Sequence, residues 1–268
     1  MRENRCAACE FTPNDALVYD VDMSSTAEQI RGVYDPLRAP LYRVADVARY
    51  VAVHEATLRT WMFGRQYHIA GGADRCWPAL FAPADPDAKM LSFTNVVEAY
   101  VLNVIRRRHQ VKLSKARMAL RYLCDHFGLE HPFAERVMET DGTDLFVREY
   151  GELLNVSRGG QVELQSFVNR YLARIKRNPD GSPIRLFPIT RSGRDDDPRI
   201  PEGPQVVAID PRVAFGHPVI HGTRITTRAV AVRFFAGESV ADLAEDFERP
   251  QSEIEEALRC ERALQIAA

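Results

Sequence analysis

The run Asp210-Pro-Arg-Val-Ala-Phe-Gly-His-Pro-Val-Ile-His-Gly-Thr-Arg-Ile225 constrains the chain more than any other stretch. Gly216 and Gly222 stand on either side of the apolar Pro218-Val219-Ile220, which predicts a short extended segment closed by a turn at each end. Thr226 or Thr227 can then cap a helix running through Phe235, with Gly237 just beyond its end. Val240, Leu243, Ala244 and Phe247 recur at helical spacing. After a turn at Pro250, Ser252 and Glu255 offer a capping box for a last helix with Ile254, Ala257, Leu258 and Ala263 on one stripe. Short helix, tight turn and longer helix is the helix-turn-helix layout.

These residues carry a resemblance. Asp210, Pro211, Gly216, Pro218, Ile220, Gly222, Thr223, Arg224 and Ile225, followed by a three-helix unit, resemble the small C-terminal domain of VapB-like antitoxins. The resemblance covers about a quarter of the chain.

Charge is distributed unevenly. The net charge of −2 hides a basic stretch, Pro40 to Phe127, with thirteen Lys and Arg against seven Asp and Glu. It also hides an acidic one, Ser239 to Arg262, with eight acids against three bases. Such asymmetry is expected when one half meets phosphate and the other meets protein.

Within the basic stretch, Val44, Val47 and Ala48 form a short apolar stripe, Val51-Ala-Val53 a turn, and His54 the start of a second helix with Leu58 and Trp61 inward. Glu55, Thr57, Arg59 and Thr60 then face outward, where short polar and cationic side chains suit base edges and phosphates. The segment resembles the helix-turn-helix of MerR-type regulators, with Thr57-Leu-Arg-Thr-Trp61 where that family carries its recognition helix. Ala52 stands at the usual turn glycine, and His54 at the usual Ser, Thr or Asp cap. Trp77 to Pro83 and Lys89 to Phe93 are expected to pair as a wing. Leu91-Ser-Phe-Thr-Asn-Val-Val-Glu98 resembles the strand-to-helix passage after a MerR wing. The expected DNA-binding residues are Arg43, His54, Thr57, Arg59, Thr60, Arg65 and Lys89, with Arg75 as a further phosphate contact.

A helix from Thr94 to Arg108 ends in Arg106-Arg107-Arg108, which either complements the helix dipole or clamps phosphate. Ser114 caps a helix to Phe127. Beyond it, a short helix at Pro132–Met138, a hairpin of Asp144–Arg148 and Glu152–Val156, a helix from Val162 to Ile175 and an edge strand at Ile184–Ile189 are expected. This block also looks like the middle of VapB-like antitoxins. Arg191 to Pro204, rich in Pro and Asp, reads as a linker.

The expected fold is therefore mainly α with small β-hairpins. It divides into a weakly patterned arm (1–39), a MerR-like winged helix-turn-helix (40–130), an α+β block (131–190), a linker (191–204) and a three-helix C-terminal domain with its own helix-turn-helix (205–268).

No catalytic constellation, Walker lysine or nucleophile elbow is present, so an enzyme, a cofactor or a bound metal is not expected. Cys6 and Cys9 form a lone pair without the second pair that a zinc site needs. Five cysteines give no disulfide framework. With no leader peptide or membrane-length apolar run, the expected compartment is the cytoplasm. His217 and His221 stand around Pro218, off any continuous helix. In the resembled family these positions are often Lys or Arg, so they are expected to act as surface cations.

The acidic end suits a protein surface better than DNA, with His217, His221, Arg224, Glu253 and Glu256 as the expected partner-binding residues. The resemblance implies the partner, a PIN-like ribonuclease toxin held inactive. It also implies a promoter repressed by the pair, with DNA bound as a homodimer. The alternative is a MerR-like transcriptional regulator whose C-terminal domain senses a ligand or another protein.

Overall fold

The computed structural model describes residues 35–67, 75–109, 113–134, 158–190 and 203–266. Residues from Asp35 to the C-terminus cluster as a single contact unit. The architecture is mostly helical with four small antiparallel strand pairs.

The chain enters through β1 (Tyr42–Arg43), α1 (Val44–Tyr50) and α2 (Glu55–Phe63). Val44, Val47 and Ala48 of α1 are buried against Leu58, Trp61 and Met62 of α2. Removing each large apolar side chain from water stabilises by about 2–3 kcal/mol. Ala52 adopts φ +54° in the turn, so the chain accepts there the left-handed strain that glycine would relieve. His54 caps α2, its Nδ1 accepting from the Ala56 N–H at 3.3 Å.

The wing differs from the expectation. Gly64 leaves α2 at φ +73°, and the chain turns at once into β2 (Arg65–Tyr67), which pairs with β3 (Arg75–Trp77) in the register Arg65↔Trp77. Trp77 to Pro83 does not form the wing's partner for Lys89 to Phe93. Instead the N–H groups of Leu80 and Phe81 reach back to the Trp61 carbonyl, at 2.7 and 3.4 Å, and close the end of α2. The turn Asp85–Met90 then delivers β4 (Met90–Leu91) to β1, with Tyr42↔Leu91 and Arg43↔Met90 opposite.

The central helix is α3 (Phe93–His109). Phe93, Val96, Val97, Tyr100, Leu102 and Ile105 are buried around most of its circumference, as a helix packed on several sides requires. Ser92 and Asn95 bond reciprocally at its start. It packs against α1, β4, β6 and α5 (Arg158–Leu172). The intervening α4 (Leu113–Phe127) buries Ala116, Ala119, Leu120 and Leu123 and stops at Gly128, φ +67°. Helix α5 begins four residues earlier than the expected Val162. The hairpin expected at 144–156, residues 135–138 of the expected short helix, and most of the expected linker lie outside the described residues.

Strands β5 (Ile175–Arg177) and β6 (Pro183–Leu186) form a bulged pair. Leu186 exchanges both backbone bonds with Ile209, at 3.0 and 2.8 Å, joining this hairpin to the segment that follows β7 (Val207–Ala208). β7 pairs with β8 (Val219–Ile220). Three helices follow: α6 (Thr227–Phe235), α7 (Val240–Asp246) and α8 (Gln251–Ile266). Thr226 caps α6 through the Ala229 N–H. The capping box belongs to α7, between Ser239 and Asp242, and not to Ser252 and Glu255. Pro250, whose carbonyl accepts from Glu253 and Ile254, begins α8 early enough to leave Ser252 inside its first turn.

Ile220, Val230, Leu243, Ile254 and Ala257 make a small core of their own. Farther along α8, Cys260 and Leu264 join the larger core that holds Tyr42, Val47, Trp61 and Leu102. Helix α8 thus packs on α6 and α7 at one end and on α1 at the other.

Candidate nucleic-acid interface and the domain packed on it

Arg43, Arg59, Arg65 and Lys89 of the basic stretch are exposed around the two helices. Arg43 is exposed at the cap position of α1, and Arg65 is exposed where β2 leaves α2. The ladder of β1 with β4 brings Lys89, exposed at φ +55°, beside Arg43 through its neighbour Met90. On α2, Thr57 and Thr60 are half-buried and Arg59 is exposed. Thr60 spends its hydroxyl proton on the Ala56 carbonyl, at 2.9 Å. Arg59 is paired within its own helix to Glu55, at 2.7 Å. At exposed sites such a pair is worth well under about 1 kcal/mol, so phosphate can displace it. The side chain of Arg75 lies outside the described residues.

Two tryptophans near this surface each carry an arginine over the ring. Trp61 is fully buried, with the Arg106 guanidinium 5.2 Å from its ring centroid. Trp77, at the end of the wing, carries Arg117 over its ring at 5.8 Å. Neither contact was legible in the sequence, because Arg117 comes from α4, forty residues further on.

The C-terminal domain holds α1 from the other side. Ala214, Phe215 and Gly216 form a left-handed turn at φ +46°, +54° and +75°. A Cβ on Gly216 would lie 2.1 Å from the Tyr42 hydroxyl oxygen. His217 Nδ1 is 3.2 Å from the Tyr50 hydroxyl. Burial, with Asp46 as a second cause, pushes the Tyr50 phenol upward, so it stays protonated. The motif's Asp210 is buried and receives Arg212 through Nε and Nη2, both at 2.9 Å, and Arg185 at 3.2 Å. Burial alone would raise its pKa, but the bonds from Arg212 and Arg185 outweigh it and hold the carboxyl below its ordinary value.

The expected partner residues separate. His217 is exposed but shares the Tyr50 contact. His221 is exposed and its ring lies edge-on to Phe187 at 5.1 Å; burial and the nearby Arg185 lower its pKa. Arg224 is exposed, and Glu253 is half-buried in a pair with Arg249 at 2.7 Å. Glu256 does not face outward: it is 1% exposed, bonded to Thr190 and paired with Arg259 at 2.9 Å. A carboxylate with an arginine and a hydroxyl at hand can be satisfied inside the fold, and the sequence pattern could not reveal Thr190 as its neighbour. Of the two turn glycines, Gly216 is pressed on Tyr42 while Gly222, at φ +80°, faces open space. Among the described residues no cluster of His, Cys, Asp and Glu could hold a metal ion, and no helix is long and apolar enough to cross a membrane.

Residues 40–120 match the family described as "Putative DNA-binding HTH domain". Residues 207–259 match "Protein of unknown function (DUF433)". A curated relative, "Putative antitoxin VapB45" of Mycobacterium tuberculosis, is 29% identical over 235 residues, covering 82% of this chain and 92% of the relative. The crystal structure of Rv2018 from Mycobacterium tuberculosis superposes with a TM-score of 0.57 at 24% identity, over 82% of this chain and 98% of that one, and shows a shared fold. The similarity that Asp210 to Ile225 carries thus extends over most of the chain: it is similar to a VapB-like antitoxin, with one segment matching a putative DNA-binding helix-turn-helix family and a later one matching the DUF433 family.

Proposed function

We propose that the chain is the antitoxin of a type II toxin–antitoxin pair. It neutralises a PIN-like ribonuclease toxin by binding it directly, and it represses its own promoter by binding operator DNA as a homodimer. The observation that carries this reading is the similarity to a curated antitoxin along 82% of the chain, with the helix-turn-helix included. The exposed Arg43, Arg59, Arg65 and Lys89 support the DNA half. Phosphate contacts of this kind fix register, and in this reading Thr57 and Thr60 of α2 are the side chains that meet base edges. The acidic surplus of the C-terminal domain supports contact with a protein rather than with a second DNA site. The role is one of binding, without catalysis.

The test is binding of the purified full chain to its own promoter fragment as salt is raised. The expected result is sequence-specific retention whose affinity falls steeply with salt. Equal affinity for promoter and unrelated duplex would contradict the operator half.

One observation favours a second reading, a MerR-like regulator that senses a ligand. A cleft of about 720 Å³ is lined by Asp35, Arg38, Thr94, His131, Asp180 and Arg212, among others. Its volume and mixed polar lining suit a small molecule. Promoter binding released by a metabolite, with no effect of a nuclease, would favour it.

A further inference from the structure

Helix α6 buries Thr227, Val230 and Ala231 against the rest of its domain. Its opposite face is apolar too. Val232 is 59% exposed and Phe235 66% exposed. Arg228, Val232 and Phe235 stand at i, i+4 and i+7, one row along the helix, and Ala229 and Ala236 are exposed along one flank of it. A soluble surface helix normally turns its polar side outward, and contiguous exposed apolar side chains mark a contact surface.

The two ends of this row carry opposite charge. Arg224 and Arg228, at its start, are exposed and have no ion-pair partner among the described residues. At its far end, Arg233 pairs with Glu238 and, at 2.7 Å, with Asp246 of α7, and the same short helix exposes Asp242 and Glu245. Four carboxylates against one guanidinium leave that end at −3. A wholly basic or wholly acidic partner would satisfy one end and repel the other. A surface basic at one end, acidic at the other and apolar between is complementary to itself reversed, which is the condition for a two-fold contact.

We propose that the outer face of α6 is the homodimer contact, with α6 of one copy antiparallel to α6 of the other. Val232 lies near the two-fold axis, Phe235 packs beside Ala229 of the second copy, and Arg224 and Arg228 meet the acidic end of the opposite helix at both edges. The contact deepens the proposed function by supplying the dimer that would span two operator half-sites. A dimer that forms through another face would overturn this contact and leave that reading standing, whereas a monomeric chain would count against the homodimer in both, so the two failures are distinguishable.

The experiment is sedimentation equilibrium of the full chain at concentrations up to roughly 100 µM, together with oxidative cross-linking of Val232→Cys and Arg224→Cys. The expected result is a dimer whose dissociation constant rises at least about tenfold in Phe235→Glu and also rises in Arg228→Glu. Val232→Cys should form a disulfide-linked dimer beyond the level of the parent chain, whose own cysteines are the control. Arg224→Cys should not, because the two copies of that residue lie at opposite ends of the contact. Circular dichroism checks that each variant folds. A monomeric parent chain, a dimer indifferent to Phe235→Glu and Arg228→Glu, or preferential cross-linking through Arg224→Cys would each overturn the contact.

Discussion

The Tyr50 hydroxyl, at the end of α1, lies 3.2 Å from His217 Nδ1, 167 residues further along the chain. One residue earlier, Gly216 leaves no room for a side chain beside Tyr42. The first helix of the helix-turn-helix is therefore held by the same turn that contains the most distinctive glycine of the C-terminal motif. Gly216→Ala is expected to cost about 2–4 kcal/mol, since it adds a steric clash to a positive φ. That corresponds to a fall in Tm of roughly 5–15 °C for a chain of this size. Gly222→Ala meets only the backbone strain and should cost about 1 kcal/mol. Calorimetry of the two variants measures the difference, and equal losses would contradict the Tyr42 contact.

Arg59 is paired to Glu55 in the same helix. Arg59→Ala and Arg65→Ala should each weaken promoter binding about tenfold at low salt and reduce its salt dependence by roughly one charge. Glu55→Gln should do the opposite, tightening binding severalfold by releasing Arg59 and removing a negative charge near phosphate. Fluorescence anisotropy across a salt series measures all three. Unchanged affinity in both arginine variants would move the recognition surface away from α2.

Arg174 is 1% exposed and donates to the carbonyls of Phe187, Gly203 and Pro188 at 2.8 to 3.0 Å. It clamps the two ends of the segment that leads into the C-terminal domain. Burial lowers its pKa, but a guanidinium keeps its proton at any ordinary pH. Arg174→Ala would strand buried acceptors and should cost about 3–5 kcal/mol. Arg174→Lys should recover little, because one ammonium cannot reach carbonyls spread around a planar fork. Urea denaturation of both variants is the check.

His131 hydrogen-bonds through Nδ1 to the fully buried Glu98, at 3.1 Å. That bond raises the imidazole pKa, outweighing the burial that lowers it. A group whose folded pKa is raised contributes stability that is complete below its unfolded pKa, about 6.5, and lost as pH rises through the folded value. The chain should therefore lose part of its stability as pH rises from about 6.5 through that folded value. In His131→Gln this component should be absent. Denaturation midpoints across that range measure it.

The helix-turn-helix was legible because Val44, Val47, Leu58 and Trp61 are spaced by the helix itself and touch neighbours close in sequence. The C-terminal helices were legible for the same reason. The wing was not, since Arg65–Tyr67 and Arg75–Trp77 are three residues each and lack apolar alternation. The signal that could have found it is Gly64, whose positive φ ends α2 and starts the hairpin. Glu256 was misplaced because its acid reads as surface, and Thr190, 66 residues away, is invisible to any local pattern. The Tyr50–His217 contact and the Arg174 clamp are long-range for the same reason.

The central claim is that this chain binds and silences a ribonuclease. The most direct measurement is to co-express the full chain with the product of the neighbouring gene, isolate any complex, and follow RNA cleavage by that product as the chain is titrated against it. The account predicts a stable complex and cleavage that falls to background at a fixed stoichiometry. Full cleavage at saturating chain, or no complex at all, would contradict it.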